Sequence, residues 1–346
     1  MKYNEIGDCI NVSEVSFGGI AMLSGGLDIM PPHFNLDKED SKRLLLEAYD
    51  FGINFYDTAI HTEYGDSEIK IGHAFNKMRD RIVISSKARA YTKNDMKKAL
   101  QSSLKNLDTN YVDLYGIHQL SPSNFEAAMD PDCGAIRTLM EAKAKGIIRS
   151  ITIGTHHADI AAECSKLSDI DMVQLPYNPL EYGLYDSALT AGLDKSKVVF
   201  HKILGGGMLP ALCSVSSLLH FALMEKPVSV LVGIGNFYQL SELRQAYEHT
   251  TNNEEQIFLH HSECNRCQSC ICTKGINISK LLRYRAYALS GFHRWAFTGF
   301  TKNYVLKCDR CGDCLTTCPR SLNIPLLIEE AENWFHNLVN YKEVNK

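Results

Sequence analysis

Apolar and polar positions along this chain follow two alternating periods. Short runs rich in β-branched and aromatic residues alternate with stretches in which apolar residues recur every three or four positions. These are the patterns of buried strands and of amphipathic helices. Eight strand-helix units can be counted, with strand runs VSEVSFGG, INFYDTA, RIVISSKA, YVDLYGIHQ, SITIGTH, DMVQLPYN, VVFHKILG and SVLVGIGN. The pattern predicts an α/β fold of the (β/α)8 TIM barrel type.

The length of the repeating region agrees with this prediction. About 250 residues are typical of such a barrel, and a hydrophobic fraction of 45% allows a full core. A doubly wound sheet is the alternative, but it usually has fewer units and a glycine-rich fingerprint after its first strand, which is missing here. We therefore predict a barrel domain over residues 1–255 and a second domain over residues 256–346, joined by a short connection near residues 252–261.

The second predicted domain is marked by cysteine. Eight of the twelve cysteines of the chain lie there, in two runs: Cys264, Cys267, Cys270 and Cys272, then Cys308, Cys311, Cys314 and Cys318. The second run reads C-x2-C-x2-C-x3-C-P, the spacing that binds [4Fe-4S] clusters in two-cluster ferredoxins, where the fourth cysteine of each run ligates the other cluster. The pattern predicts a bacterial-ferredoxin-like domain with two [4Fe-4S] clusters.

On that pattern the eight cysteines divide into two sets of ligands. Cys264, Cys267, Cys270 and Cys318 would hold one cluster, and Cys272, Cys308, Cys311 and Cys314 the other. Structural zinc sites are the alternative, although zinc has no use for the third evenly spaced cysteine or the trailing proline. Cys272 is the least regular ligand, because one residue separates it from Cys270.

Composition and termini limit the classes of function. The formal net charge is −4, and no nucleic-acid-binding motif is present, so a nucleic-acid partner is not expected. The N-terminal residues lack the apolar core of a signal peptide, and no stretch approaches the length of a membrane span. Because thiolate clusters also require a reducing compartment, we expect a cytoplasmic protein without membrane contact.

Three consecutive predicted strands end in ionisable residues. Asp57, Lys87 and His118 close these strands, and Tyr64 follows Asp57. The carboxyl ends of barrel strands face one mouth, where catalytic residues gather. A tyrosine hydroxyl titrates near ~10 and needs a nearby cation to exchange protons at neutral pH. The pattern indicates a proton-transfer site, with Lys87 as that cation; a structural ion pair between Asp57 and Lys87 is the alternative.

Several motifs carry a resemblance to a known family. The runs GINFYDTA, YGDSEIKIG, SSKA, DLYGIH, IRSITIGTHH, VQLPYNPL and VLVGIGNFYQLSE resemble, in this order, the aldo/keto reductase family, and the cysteine runs are similar to its branch with a C-terminal ferredoxin-type domain. The resemblance implies that Asp57, Tyr64, Lys87 and His118 form a catalytic tetrad with Tyr64 as general acid. It also implies that NADP or NAD binds across the barrel mouth.

The resemblance further implies which residues bind the nucleotide. Thr155, His156 and Gln174 would hold the carboxamide, and Tyr177 would stack on the nicotinamide. The loops after the seventh and eighth strands would take the phosphates. The implied contacts in these loops and beyond them are Lys202, Gly205, Gly206, Gly207, Gly233, Gly235, Gln239 and Glu242.

The chain departs from the family pattern at two places. Four residues, at positions 60–63, precede Tyr64 where the family usually has two, so His61 or Glu63 could enter the site instead. Gly235 and Leu243 stand where the family often places the arginine and asparagine that contact the 2′-phosphate and the adenine. The choice between NADPH and NADH therefore stays open at this point.

A basic, aromatic segment separates the two cysteine runs. Between Lys280 and Arg310 it holds seven Lys or Arg residues and one acidic residue. One interpretation is a helical connector whose cations offset the charge of the clusters. The other is a dock for an acidic electron carrier, a ferredoxin or flavodoxin. Substrate contacts are expected in the loops of residues 21–34 and 120–133.

Two functions from different classes follow. The first is an oxidoreductase that reduces a small-molecule carbonyl, or oxidises an alcohol, with a nicotinamide and a proton through Tyr64. The second is an electron-transfer protein in which the barrel is a scaffold or a weakened reductase. Clusters that are only structural are a third interpretation, since a cubane moves single electrons whereas a hydride carries two.

Overall fold

A computed structural model describes residues 1–7, 9–22, 36–61, 63–250, 264–289, 296, 299–301, 304 and 308–344. Most of the predicted substrate loop at residues 21–34 and the predicted domain connection at residues 252–261 lie outside the described residues. The boundary between residues 255 and 256 therefore stays a prediction.

Eight parallel strands close into a barrel, as the sequence pattern predicts. The order around the barrel follows the chain, and the last strand pairs with the first. After a hairpin formed by β1 (Tyr3–Ile6) and β2 (Ile10–Ser13), the barrel strands are β3 (Val15–Gly18), β4 (Phe55–Asp57), β5 (Val83–Ala88), β6 (Val112–Leu120), β7 (Ile148–Thr155), β8 (Met172–Pro176), β9 (Val198–His201) and β10 (Ser229–Gly233).

Helices follow the strands and cover the outside of the barrel. Asp37 begins the first of them by accepting a hydrogen bond from the Asp40 amide at 2.8 Å, which satisfies an otherwise unpaired donor of the first turn. The helices before the cysteine runs are α1 (Lys38–Asp50), α2 (Ser67–Phe75), α3 (Lys93–Asn106), α4 (Phe125–Met129), α5 (Ala135–Ala144), α6 (Ala158–Lys166), α7 (Tyr182–Thr190), α8 (Val215–Leu223) and α9 (Phe237–Thr250).

The hairpin of β1 and β2 closes the end of the barrel opposite the carboxyl ends of the strands. Its Ile6, Ile10 and Val12 form a buried cluster with Phe55 and Leu114 from the barrel interior. Burial of apolar surface drives this contact. The closed end leaves the mouth at the carboxyl ends of the strands as the place for polar chemistry.

The cysteine-containing region packs around a small core of its own. Its described residues include the helices α10 (Ile278–Leu289) and α11 (Ile324–Val344). Apolar side chains of these helices, including Leu281, Ile324 and Ile328, are buried together, and the rings of Phe300 and Phe335 stack with their centroids 3.9 Å apart. We call residues 264–344 of the described chain the module. None of the helices in the described ranges is long and apolar enough to span a membrane.

Candidate active site and cysteine module

A buried ion pair links the ends of β4 and β5 at the barrel mouth. Lys87 Nζ donates to both carboxylate oxygens of Asp57, at 2.7 and 2.6 Å, and to the backbone carbonyl of Thr58 at 3.0 Å. Gln174, from β8 across the barrel, donates to Asp57 Oδ1 at 2.7 Å. Asp57 and Lys87 are 4% and 3% exposed. The network fixes the ammonium group of Lys87 at one position in the mouth.

Tyr64 lies beside this ion pair. Its ring centroid is 5.7 Å from Lys87 Nζ, and it meets the His118 ring edge to face, with the centroids 5.7 Å apart. The longer connection after β4 does not remove Tyr64 from the site, because a tight turn returns the chain, with the amides of Tyr64 and Gly65 donating to the His61 carbonyl. The structure thus brings all four predicted catalytic residues together.

The surroundings keep the Tyr64 phenol protonated. Burial raises the pKa of Tyr64 far above its usual value, and the negative charges of Asp57 and Glu63 raise it further, while Arg89 opposes them. A phenolate at this position is costly unless the ammonium group of Lys87 stabilises its negative charge. The group is therefore present as a proton donor rather than as a base.

His118 is held in its neutral form. Burial lowers the pKa of His118 to about 2, and the positive charges of Lys87 and Arg89 contribute to the shift. Among the residues described, no hydrogen-bond partner satisfies the buried Nδ1 atom of His118. A neutral imidazole with an unpaired ring nitrogen can orient a polar group of a ligand.

The residues that precede Tyr64 pair with Arg89. The guanidinium of Arg89 donates to His61 Nε2 at 2.6 Å and to both carboxylate oxygens of Glu63 at 3.1 and 3.2 Å. Thr62 lies outside the described residues. Glu63 is thus held by Arg89, whereas His61, besides binding Arg89, also meets the His118 ring edge to face, with the centroids 6.3 Å apart.

Two of the predicted nicotinamide contacts have partners within the protein. Gln174 binds Asp57, as described above, and Thr155 Oγ1 donates to the backbone carbonyl of Leu120 at 2.7 Å. His156 lies with its ring centroid 5.3 Å from that of His201, at the end of β9. Burial lowers the pKa of both histidines well below the usual value, so both are neutral.

Other aromatic rings cover the ring of Tyr177, whereas the resemblance implies that this ring is free to stack on the nicotinamide. Its ring stacks on Phe200, with centroids 4.2 Å apart and an interplanar angle of 13°, and on Phe221, at 5.1 Å and 17°. Tyr185 meets it edge to face, and Tyr177 is only 4% exposed. A nicotinamide could stack on Tyr177 only by displacing one of these rings. The expected stacking role is therefore corrected to a packing role.

The two predicted phosphate-binding loops differ in which of their residues are exposed and which are bonded within the protein. Gly205, Gly206 and Gly207 all have positive φ, of 60°, 71° and 92°, and the last two are exposed. In the second loop, Gln239 accepts a hydrogen bond from the Gly235 amide at 2.7 Å. Gly233 is exposed at the end of β10, Glu242 is half-buried on α9, and Leu243 is packed in the core.

The cysteines of the module meet in two sets. The charges of Cys318, Cys264 and Cys267 act on the Cys270 thiol, whose pKa burial and these neighbours raise to about 12. Cys314 interacts in the same way with Cys308, Cys272 and Cys311, and these four line one cavity together with apolar residues. The sets match the predicted ligand sets, with Cys318 and Cys272 exchanged between the runs.

The two runs also share one backbone conformation. Arg266 and Arg310, each two residues after the first cysteine of its run, both have φ of 58°, and each donates its amide to the Sγ atom of that cysteine at 3.4 Å. Positive φ recurs at Gln268 and Gly312. Hydrogen bonds to ligand sulfur are one means by which proteins tune iron-sulfur clusters. The module is thus an internal repeat of residues 264–278 and 308–324.

Four cysteines could hold either a single metal ion or an iron-sulfur cluster. Within the described ranges, no group of three or more His, Cys, Asp or Glu side chains could hold one metal ion as it stands. A tetrahedral zinc site needs four ligand atoms about 2.3 Å from one centre. Four cysteines around a common cavity, with amide hydrogen bonds to sulfur, fit the donor set of a [4Fe-4S] cluster.

The first run is docked against the barrel mouth. Gly183 donates its amide to the Asn265 carbonyl at 3.0 Å, Ser187 donates to the Cys267 carbonyl at 2.8 Å, and Gln268 donates to the His156 carbonyl at 2.9 Å. A Cβ atom on Gly183 would lie 2.5 Å from the Asn265 side chain. Glycine at this position therefore permits the contact.

Charged side chains cross the contact between barrel and module. The Arg266 guanidinium binds the carboxylate of Glu181, which also accepts from Asn178 at 2.8 Å and lies 3.7 Å from Arg283 Nε. We call this contact the seam. No local signal in the sequence marks this contact, because Glu181 and Arg266 are 85 residues apart along the chain.

The arginines of the basic segment that the structure describes have partners inside the protein. Arg283 faces Glu181, Arg285 pairs with Glu330 at 2.7 Å, and Arg310 pairs with Glu329 at 3.2 Å. Residues 290–295, 297–298, 302–303 and 305–307 of the segment lie outside the described residues. The described part of the segment therefore fits the connector interpretation more closely than a dock for an acidic carrier.

Comparison with known proteins extends these observations. The profile of the aldo/keto reductase family matches residues 21–212. The chain is 27% identical over 186 residues to an NADH-specific methylglyoxal reductase of Escherichia coli, covering 48% of this chain and 56% of the relative. It is 26% identical over 210 residues to aldo-keto reductase YhdN of Bacillus subtilis, covering 56% and 59%. The chain spans little more than half the length of these relatives.

Solved structures show the same fold. Aldo-keto reductase AKR11C1 from Bacillus halodurans, in its holo form, superposes with a TM-score of 0.59 at 22% identity, over 72% of this chain and 91% of that one. The thermostable aldo-keto reductase Tm1743 gives a TM-score of 0.56 at 24% identity, over 75% and 96%. With the barrel, the grouped polar residues at its mouth and the profile match, the chain belongs to the aldo/keto reductase family of oxidoreductases.

Proposed function

We propose that this protein is an NAD(P)H-dependent oxidoreductase that reduces a small carbonyl compound, or oxidises the corresponding alcohol. The observation that carries the proposal is the position of the Tyr64 ring 5.7 Å from both Lys87 Nζ and the centroid of the His118 ring. A protonated phenol beside an ammonium group and a neutral imidazole can donate a proton to a developing alkoxide.

Each residue of the mouth has a defined part in this proposal. Tyr64 donates the proton, and the ammonium group of Lys87 stabilises the phenolate that results. Asp57 and Gln174 hold Lys87 in place through the hydrogen bonds described above. His118, whose neutral ring lies edge to face with that of Tyr64, would orient the substrate oxygen.

The nucleotide, when bound, supplies or accepts a hydride. Thr155 and His156 would hold its carboxamide end, and Lys202 with the exposed Gly206 and Gly207 would hold its phosphates. Small carbonyl compounds and NADH are the first candidates, because one relative is named an NADH-specific methylglyoxal reductase. Gly235, which stands where the family often has the arginine that contacts the 2′-phosphate, agrees with NADH, whereas Leu243, at the place of the adenine contact, does not distinguish the two nucleotides.

We also propose that the module holds two [4Fe-4S] clusters. Cys264, Cys267, Cys270 and Cys318 would bind the first, next to the barrel, and Cys272, Cys308, Cys311 and Cys314 the second. The two sets of interacting thiols and the repeated amide-to-sulfur hydrogen bonds support this assignment. Such clusters supply single electrons and suit a reducing compartment such as the cytoplasm.

The second candidate function is electron transfer with a ferredoxin or flavodoxin, the barrel serving as a scaffold or a weakened reductase. The covered faces of Tyr177 favour it, because they remove one expected contact of the nucleotide. The paired arginines of the basic segment speak against a dock at the described part of that segment.

One experiment separates the two candidates. Protein purified without oxygen is assayed for iron and sulfide, and then mixed with NADH or NADPH and a panel of carbonyl compounds that includes methylglyoxal. Nucleotide oxidation is followed by absorbance and cluster reduction by electron paramagnetic resonance. Carbonyl-dependent oxidation supports the reductase; a protein that neither binds nor oxidises either nucleotide, but exchanges electrons with reduced ferredoxin, supports the alternative.

A further inference from the structure

The connection between β4 and Tyr64 is paired with the end of β5. The backbone amide of Ile60 donates to the Lys87 carbonyl at 3.0 Å, which extends the parallel pairing of the two strands beyond the end of β4. The residues that follow on the two sides, His61 and Arg89, therefore leave the barrel next to each other.

Arg89 holds two side chains of this connection at the same time. Its guanidinium donates to His61 Nε2 at 2.6 Å and to both carboxylate oxygens of Glu63, at 3.1 and 3.2 Å. The Glu63 amide lies 3.2 Å from His61 Nδ1, so each of the three residues is linked to the other two. We call His61, Glu63 and Arg89 the clamp. The side chains of Arg89 and His61 are only 26% and 21% exposed, which shields their contacts from screening by salt.

One turn connects the clamp to Tyr64. The amides of Tyr64 and Gly65 donate to the His61 carbonyl at 2.9 and 3.2 Å, and the Tyr64 carbonyl accepts from the amide of Ser67, the first residue of α2, at 3.0 Å. The clamp thus fixes the chain before Tyr64, and α2 fixes it afterwards. The turn between them determines where the Tyr64 ring lies relative to Lys87.

The clamp also contacts the tetrad through a ring. His61 meets the His118 ring edge to face with the centroids 6.3 Å apart, and His118 meets the Tyr64 ring in the same way at 5.7 Å. The His118 ring is therefore in contact with the clamp and with Tyr64. A displacement of His61 would change the backbone turn and this ring contact together.

We propose that Arg89 is a positioning residue of the proton-transfer site. By binding His61 and Glu63 together, it holds the connection in the turn that places Tyr64 beside the rest of the tetrad. A connection of four residues loses more conformational freedom than one of two, so it needs contacts of its own to be ordered. In giving the position of Tyr64 a catalytic consequence, the inference rests on the proposed function.

The chemistry of the side chains suits this role. Arginine presents a planar fork that can bond two partners at once, whereas lysine offers a single point charge. Burial is the main cause of the raised pKa of Tyr64; the charge of Glu63 adds to it, and that of Arg89 opposes it. Because the two charges of the clamp act in opposite directions, the clamp orders the turn without placing an uncompensated charge beside the phenol.

Kinetics and fluorine NMR together test the role of Arg89. The unlabelled, iron-loaded protein is assayed without oxygen with NADH and methylglyoxal, and meta-fluorotyrosine is incorporated at position 64 for the fluorine spectra. Arg89→Met removes the three hydrogen bonds of the guanidinium. The matched control is Arg137→Met, which removes an arginine that pairs with Glu141 at 2.8 Å on α5, outside the barrel mouth.

We expect Arg89→Met to lower kcat about 10- to 100-fold, because a small displacement of the acid is enough for such a loss. The KM for NADH should stay within about twofold, since the clamp is not part of the predicted nucleotide site. The fluorine resonance should shift or split in Arg89→Met and coincide with that of the wild type in Arg137→Met. Arg89→Lys should keep kcat low; full kcat in this variant would overturn the proposal, because charge alone would then be sufficient.

A double-mutant cycle tests whether Arg89 acts through its partner. Glu63→Ala should lower kcat by itself, and the combination of Glu63→Ala with Arg89→Met should lose little more than Arg89→Met alone, because residues of one network are not additive. Losses that multiply would show that the two side chains act independently and would rule the clamp out.

The fluorine spectra require no turnover, so the inference and the proposed function can fail separately. A changed resonance in Arg89→Met, in a protein that oxidises no NADH with any carbonyl compound, would refute the proposed function and retain the role of Arg89 in placing Tyr64. Unchanged kcat and an unchanged resonance would do the reverse. A lowered kcat with an unchanged resonance would also contradict the inference, because Arg89 would then act through its charge.

Discussion

Arg266 donates a hydrogen bond from its guanidinium to Glu181 and one from its backbone amide to Cys264 Sγ. One residue of the cysteine run thus touches both the barrel mouth and a predicted cluster ligand. Burial alone would raise the pKa of Glu181, but Arg283, Arg266 and Lys202 reverse the effect and keep the pKa low. Glu181 is therefore an anion that holds the module on the barrel.

Replacing Glu181 by glutamine should destabilise the protein strongly. The change leaves Arg266, Arg283 and Lys202 close together without a carboxylate, and breaking a buried pair in this way costs roughly 3–5 kcal/mol. We expect the thermal unfolding midpoint, followed by circular dichroism, to fall by about 5–10 °C. Glu329→Gln, which removes the half-exposed partner of Arg310, is the control and should shift it by about 2 °C or less. Equal shifts would contradict the role of Glu181.

Tyr64→Phe should remove most of the carbonyl reductase activity. Loss of a positioned general acid costs about 10²–10⁴-fold in kcat, whereas the aromatic ring that contacts His118 remains. Nucleotide affinity should be unchanged, as measured by fluorescence titration. Tyr111→Phe is the control, since the Tyr111 hydroxyl donates to the Arg79 carbonyl outside the mouth. A Tyr64→Phe enzyme with full kcat would show that another group is the acid.

Tyr177→Leu should reduce stability and leave nucleotide binding intact. Tyr177 stacks between Phe200 and Phe221, so removing its ring costs about 2–4 kcal/mol of folding free energy through lost ring contacts and volume. The dissociation constant for NADH should stay within about threefold. A tenfold weaker affinity with an unchanged unfolding midpoint would restore the stacking role implied by family resemblance.

Cys318→Ser should disrupt the first predicted cluster although Cys318 lies in the second run. Its thiol interacts with those of Cys264 and Cys270, so about half of the iron and sulfide should be lost. Cys272→Ser should remove the other half. The matched control is Cys213→Ser, outside both sets. Unchanged iron in Cys318→Ser, or zinc in the purified protein, would reject the ligand assignment.

The sequence predicted the features that depend on short-range pattern. Period and length gave the barrel, and the ends of three successive strands gave Asp57, Lys87 and His118, because parallel strands bring their carboxyl ends together. Spacing between cysteines gave the two sets of thiols. These are properties of neighbouring residues and of a regular topology.

Contacts between distant segments were not predictable in the same way. The Tyr177 stack needs Phe200 from the next strand and Phe221 from a helix beyond it, so the family position alone suggested a free ring. The pairing of Arg266 with Glu181 depends on how the module is placed on the barrel. The repeat within the module was visible as two similar segments ending in asparagine and isoleucine, at residues 277–278 and 323–324, and an internal comparison would have found it.

On the proposed ligand assignment, the exchange of Cys272 and Cys318 between the runs would set an order of assembly. During synthesis the first run emerges when the barrel strands are complete, whereas Cys318 emerges much later, at a rate of about 5–20 residues per second. Until then three thiols of the first set have no fourth ligand, and their run can already rest on Gly183 and Ser187. On that assignment, the finished barrel would keep the first run in place until iron and sulfide are inserted.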